Sequence, residues 1–267
     1  MKVRQWLVQL VKRRAQAKRA ITDMINLCMN TYLEKLSSRD EKMQMLVTLR
    51  EASEGKIFLE REYANCTRMQ VEMLESEGKI DEAAKVIQEI AIETYGSIES
   101  KEKVEFILYQ MKLVLARQDY IRTQILSRKI TKRALNEKGL ERQKVTFFQY
   151  MVKYYVHEKE VMEVAKCYET IFETICAAAE DAELKAELEG ADGELRKANF
   201  RNYILYLLLS PQNPEKVEKL KAVEKNYPRE LEAEELLARY VRKFLVFELM
   251  PLNEEEVHAQ MKDFEPF

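Results

Sequence analysis

Few residues in this 267-residue chain are of a type and spacing that could do bond chemistry. It holds two histidines. The stretch His157-Glu158-Lys159-Glu160-Val161 lacks the second histidine, one helical turn on, that a helical zinc protease motif needs to grip its metal. His258 lies in an acidic C-terminal stretch and reads the same way, as a structural or surface residue rather than a general base. Gly55-Lys56 and Gly78-Lys79 resemble the end of a phosphate-binding loop, but no glycine stands five residues earlier and neither follows a strand, so helix punctuation explains both. Acidic pairs such as Asp40-Glu41 and Asp81-Glu82 fall at helix starts, where the macrodipole favours them. No repeated aspartate cluster of the kind that holds magnesium and diphosphate is present. Cys28, Cys66, Cys167 and Cys176 sit inside apolar helical patterns, without zinc spacing and without a visible base, and read as reduced core thiols of a cytosolic or nuclear protein. The expectation is a protein with no catalytic residues, no cofactor and no metal, and not an enzyme.

The elements that would carry any site are helices. Glycine and proline are scarce, at 6 and 5 residues, and no proline precedes Pro211, which leaves too few turn residues for an all-β or Gly-loop α/β chain. Charged residues make up 34% and apolar ones 46%, the balance of helices with one wet and one dry face. A net charge of -2 favours neither nucleic acid nor an acidic membrane. The longest apolar run, Ile204 to Leu209, is far too short for a membrane span. Methionines at 43, 45, 69, 73, 111, 151 and 162 fall at helical spacing and read as interior filling rather than as an adaptable groove.

Repetition is the most informative pattern. Helix openings are expected at Asp40, Asp81, Asp119 and Glu160, spaced by 41, 38 and 41 residues, with Asp81 accepting hydrogen bonds from the first free amides of its helix. The apolar positions that follow Asp119, namely Ile121, Ile125 and Leu126, are expected to face inward. A step of about 40 residues belongs to stacked helix pairs. The expected fold is therefore all-α, a right-handed α-solenoid of antiparallel pairs, tetratricopeptide-like in architecture. Its domains are expected at 1–176 for the solenoid, at 177–198 for a weakly ordered acidic excursion with seven acids against three bases, and at 199–267 for terminal helices. Within the last, Asn213-Pro214 is a cap and first-turn pair, and one helix is expected from Glu230 to Met250.

Four stretches go beyond architecture: Gly55-Lys56-Ile57-Phe58-Leu59-Glu60, then Glu93-Thr94-Tyr95-Gly96-Ser97-Ile98-Glu99, then Lys101 to Met111, then Asp119 to Ile130. Their order and spacing closely resemble the PCI-family subunits of the 26S proteasome lid. The resemblance is strong from about Leu10 to Ile130. It continues more weakly through Asn202 to Met250, where Tyr203-Ile204-Leu205-Tyr206 and Phe247-Glu248-Leu249-Met250 look like helices leading into the PCI module. The resemblance does not extend to the acidic stretch around Glu180 to Glu194 and implies nothing specific for it. The resemblance implies a non-catalytic scaffold whose partners are other lid subunits, the lid deubiquitinase, the base ATPases and the α-ring of the core particle, in cytoplasm and nucleus. It also implies that family members continue past the position of Phe267 into a winged-helix module.

Candidate contact residues are the basic cluster Lys12, Arg13, Arg14, Lys18 and Arg19, and the charges Arg117, Arg122 and Arg128. Residues 1–20 carry seven bases and no acid, so an acidic protein surface is the expected target. The nearest alternative is a PCI subunit of the COP9 signalosome. An alternative of another class is a helical nucleic-acid binder using the basic N-terminal helix, although only Trp6 stands nearby for stacking.

Overall fold

Helix follows helix through the computed structural model, which describes residues 2–13, 16–178 and 193–246. No strand occurs among the described residues. The chain divides into two compact units, Met1–His157 and Glu158–Phe267.

In the first unit, α1 (Lys2–Lys12) buries Leu7 and Val11 and packs on α3 (Arg39–Ser53). Between them α2 (Lys18–Leu27) runs on through a π turn, Cys28–Tyr32, into a last turn at Leu33–Lys35. Ile21, Ile25, Met29 and Leu33 from this segment meet Met45, Leu46 and Leu49 of α3 and Cys66 of α4 (Glu60–Ser76) in one core. Then come α5 (Ile80–Gln88), α6 (Ser100–Ala116), α7 (Tyr120–Ser127), a short α8 (Lys132–Leu135) and α9 (Glu141–Glu158). From α3 to α7 each helix packs on the next, as stacked hairpins require.

The repeat is set by its tight turns. At the end of α4, Gly78 is left-handed (φ +74), its N–H reaches the Glu75 carbonyl at 2.9 Å, and the Lys79 N–H reaches the Leu74 carbonyl at 3.0 Å. This double bond pattern closes the orphan carbonyls of a helix end. At the end of α6 the same turn recurs with Gln118 (φ +58), bonded to Leu115 at 2.9 Å, and with Asp119 bonded to Val114 at 3.1 Å. Lys159 (φ +60), between α9 and the helix that opens at Val161, is left-handed as well. Glycine tolerates this conformation, whereas a side chain strains it by about 1 kcal/mol. Gln118→Gly is therefore expected to raise stability by about 1 kcal/mol, read as a higher midpoint in urea with an unchanged slope.

The openings only partly follow expectation. Asp119 caps α7, accepting from the Arg122 N–H at 3.1 Å. Asp81 does not cap: α5 begins at Ile80 with Lys79 before it, so Asp81 lies inside the first turn, where it pairs with Arg117 at 2.7 Å. Glu160 precedes its helix without a side-chain cap, and Asp40 lies within α3. Ile121 and Ile125 do not face inward. They are 76% and 53% exposed, and the buried stripe of α7 is Thr123 and Leu126 instead. Thr123 can be buried because its hydroxyl donates to the Asp119 carbonyl at 3.0 Å.

In the second unit α10 (Val161–Ala177) packs closely along α11 (Glu194–Leu209), followed by α12 (Pro214–Asn226), α13 (Pro228–Glu232) and α14 (Glu235–Val246). Phe172, Phe200, Tyr203, Ile204 and Leu207 meet Leu220, Val223, Leu237 and Val241 in its core. Asn213 caps α12 as its sequence suggests, accepting from the Lys216 N–H at 2.7 Å, and Pro214 is its first residue. The single helix expected from Glu230 is instead two, interrupted at Ala233-Glu234. The division at His157/Glu158 differs from the boundary expected at 176, with α10 grouped among the later helices. Of the acidic excursion at 177–198, residues 179–192 lie outside the described residues, and the part from Glu194 is already helical. His258, Phe247 and the other residues after 246 also lie outside them.

Candidate protein-docking surface

The residues with reactive potential are held in structural roles. The His157 ring stacks on Tyr120 with centroids 3.7 Å apart and planes at 12°. Cys28, Cys66 and Cys167 are buried, and desolvation pushes the Cys66 and Cys167 thiols up to about 12, far from the thiolate that nucleophilic attack requires. Among the described residues no group of three His, Cys, Asp or Glu side chains stands close enough to hold a metal ion. Gly55 (φ +72) and Gly78 are turn residues between helices.

Much of the charge serves the stack itself. Side chains of one hairpin reach residues 34 to 41 positions along, on the neighbouring one. Arg61 pairs with Glu102, the Tyr109 hydroxyl donates to Glu75 at 2.9 Å, Lys129 pairs with Glu93 at 2.8 Å, and Gln143 donates to Glu105 at 2.9 Å. Burial is the first cause, and the Glu75 hydrogen bond the second, of the raised Tyr109 pKa. Glu75 is held below its usual range by the hydrogen bond from Lys112. Exposed pairs of this kind contribute little singly. Buried Gln110 adds a neutral tie, donating to the Ile87 and Ile90 carbonyls at 2.8 and 3.0 Å, so α6 closes the end of α5. Two of the expected contact residues belong to this ladder. Arg117 is tied to Asp81, while Arg122 donates to Gln88 and lies 3.7 Å from Asp119.

The other expected residues stand differently. Lys12 and Arg13 are exposed at the end of α1, where the helix dipole favours cations. Lys18 lies over the Phe58 ring at 5.7 Å, and Arg19 approaches Asp23 at 4.0 Å with both side chains almost wholly in solvent. Arg14 lies outside the described residues. Trp6, on the same helix as Lys12, is 62% exposed. Trp and Arg are the side chains that most often anchor protein interfaces. Lys12, Arg13, Lys18, Arg19 and the Trp6 indole are thus exposed on the first two helices, and Arg128 is exposed just past the end of α7.

Two clefts accompany these surfaces. One of about 690 Å³ lies between the π turn, α3 and α4, floored by Met29, Leu33, Leu46, Met69 and Met73 and rimmed by Arg39 and Glu72. Met45, Met111 and Met151 are buried as interior filling, while Met69 and Met73 line this cleft. The other, of about 520 Å³, lies among α10, α11 and α13. No described helix is long and apolar enough to cross a membrane.

Comparison with known proteins decides the family. The family model described as PSMD12/CSN4, N-terminal, matches residues 2–180, two thirds of the chain. The chain belongs to the PSMD12/CSN4 N-terminal family. A relative in Dictyostelium discoideum, 26S proteasome non-ATPase regulatory subunit 12, is 36% identical over 172 residues, covering 64% of this chain and 38% of its own length. The Saccharomyces cerevisiae 26S proteasome regulatory subunit RPN5 is 36% identical over 220 residues, covering 82% and 49% respectively. The Schizosaccharomyces pombe 26S proteasome regulatory subunit rpn501 is 29% identical over 244 residues, covering 91% and 52%. This PSMD12/CSN4 family chain thus spans about half the length of these relatives or less. The family read from the Gly55 to Ile130 stretches is the family found, and its all-α hairpins are those seen here.

Proposed function

We propose that this chain supplies the helical arm of a non-catalytic scaffold subunit in the lid of the 26S proteasome regulatory particle. There it would help assemble the lid and dock it on the base and core particle for ubiquitin-dependent degradation. One observation carries the reading: relatives at 29–36% identity, aligned over 64 to 91% of the chain, are named as regulatory subunits of the 26S proteasome. The geometry supports it, because stacked hairpins offer a long contact face, and the reactive side chains described above are occupied in structure. The expected partners are other lid subunits, the lid deubiquitinase, the base ATPases and the α-ring of the core particle, in cytoplasm and nucleus. Catalysis would belong to those partners.

Within this reading the cluster Lys12, Arg13, Arg14, Lys18 and Arg19 meets an acidic protein surface, with Trp6 as its apolar anchor. Affinity purification of the tagged chain from cells is expected to retrieve lid, base and core subunits. Retrieval of signalosome subunits or ribonucleoproteins in their place would overturn the assignment. Changing the five basic residues to alanine is expected to lower recovery about tenfold at 0.15 M salt, and the difference should shrink at 0.5 M as screening rises. Equal recovery at both salt concentrations would remove the cluster from the interface. Arg117 and Arg122, already tied within the stack, are expected to contribute less to partner contact than the N-terminal cluster.

A further inference from the structure

The α7 helix turns its two isoleucines away from the face that packs, which buries Thr123 and Leu126. Ile121, Gln124, Ile125 and Arg128 are spaced i, i+3, i+4 and i+7 and form one stripe. Ile121 is 76% and Ile125 53% exposed, with their Cβ atoms about 6 Å apart on helical geometry. From Tyr120 to Ile130 the chain has three bases, Arg122, Arg128 and Lys129, and no acid. Asp119 and Glu93 are engaged by Arg122 and Lys129, and Arg128 makes no ion pair among the described residues.

We infer that this stripe is a second docking site, which takes a short acidic amphipathic segment of a partner protein. Such a segment would seat two large apolar side chains, one helical turn apart, on Ile121 and Ile125, and a carboxylate beside Arg128. The chemistry disfavours the other occupants. A second copy would bring the same bases to the contact and no carboxylate from its own stripe. Single-stranded nucleic acid needs aromatic faces for its bases, and the stripe has none. Two isoleucines on an eight-residue helix are too little apolar surface to hold a membrane interface. The β-branched side chains are stiff on a helix, so little rotamer freedom is lost when they are covered.

The test places a photo-reactive residue at Gln124 of the full chain in cells and sequences the cross-linked peptide, with the same residue at exposed Glu224 as control. The expected product is one segment of another protein, richer in acids than bases and with large apolar residues at helical spacing. Ile121→Ala/Ile125→Ala, which leaves helix propensity high, is expected to lower its yield about 100-fold with circular dichroism unchanged. Cross-linking to this chain itself, to a second copy, to nucleic acid, to lipid or to a basic segment would overturn the proposal. So would a yield no higher than at Glu224, or one that the double variant leaves intact. Incorporation of the chain into purified proteasome reports on the scaffold reading, and the Gln124 product reports on this site, so either can fail without the other.

Discussion

Phe172→Ala is expected to lower the unfolding free energy by about 4 kcal/mol, measured by urea denaturation of the whole chain. Phe172 is 1% exposed on α10 and its ring lies 5.0 Å from that of Phe200 on α11 and 5.1 Å from that of Tyr227 at the α12–α13 junction. Phe200 and Tyr227 close the triangle at 6.0 Å. One side chain therefore joins three segments that are distant in sequence. Its removal loses the transfer free energy of the ring and leaves a cavity that three fixed backbones cannot collapse. Phe172→Leu should cost less than half as much, because it refills most of the volume. A loss below about 1 kcal/mol for the alanine variant would show that the triangle is not where this unit is held together.

Lys216→Ala is expected to cost about 3 kcal/mol by the same measurement. Lys216 is 2% exposed, and its ammonium donates to the Leu208 and Ser210 carbonyls at 2.6 and 2.7 Å beneath the Phe244 ring, 4.4 Å from its centroid. It thus closes the end of α11 with a cation, where the helix dipole favours one. Alanine would leave two buried carbonyls without donors. Methionine, which fills the space and removes the desolvated charge, should cost less than alanine. The charge also leaves a signature in pH. Desolvation lowers the folded-state pKa of Lys216 from 10.5, so the native chain releases this proton before the unfolded chain does. Across the window between that lowered value and about 10.4 the unfolded state holds more protons, and stability rises with pH. Below the window both states are protonated and the contribution is level. The difference in stability between the parent chain and Lys216→Met should therefore move in favour of the parent as pH rises toward 10. A difference that stays flat would place the ammonium in contact with water.

The fold was largely legible in the sequence, because the step of about 40 residues and the scarcity of glycine and proline leave few architectures open. The orientation of single helices was less so. Ile121, Ile125 and Leu126 satisfy helical spacing equally well for two faces, and the deciding residue is Thr123, whose burial depends on a hydroxyl bond to its own preceding turn. Nor could Asp81 be read correctly, since its partner Arg117 lies a hairpin away and draws it from the capping role. Lys216 resembles any surface lysine of α12 until the end of α11 is placed over it. As for the expected contact residues, charge runs point to the N-terminal cluster, but composition alone does not separate Arg128, which stands in solvent, from Arg117 and Arg122, which are tied to neighbours.

The polar ties between equivalent positions of successive hairpins have a mechanical consequence. Neighbouring hairpins in the first unit are joined by weak, partly exposed bonds, with the buried Gln110 tie between α5 and α6 among them, so they yield by small rotations without separating. Strain applied at one end is then shared among the interfaces in series and is not taken up at a single hinge. Such a stack is an elastic element, whose stiffness is set by how many of these ties survive a given salt concentration.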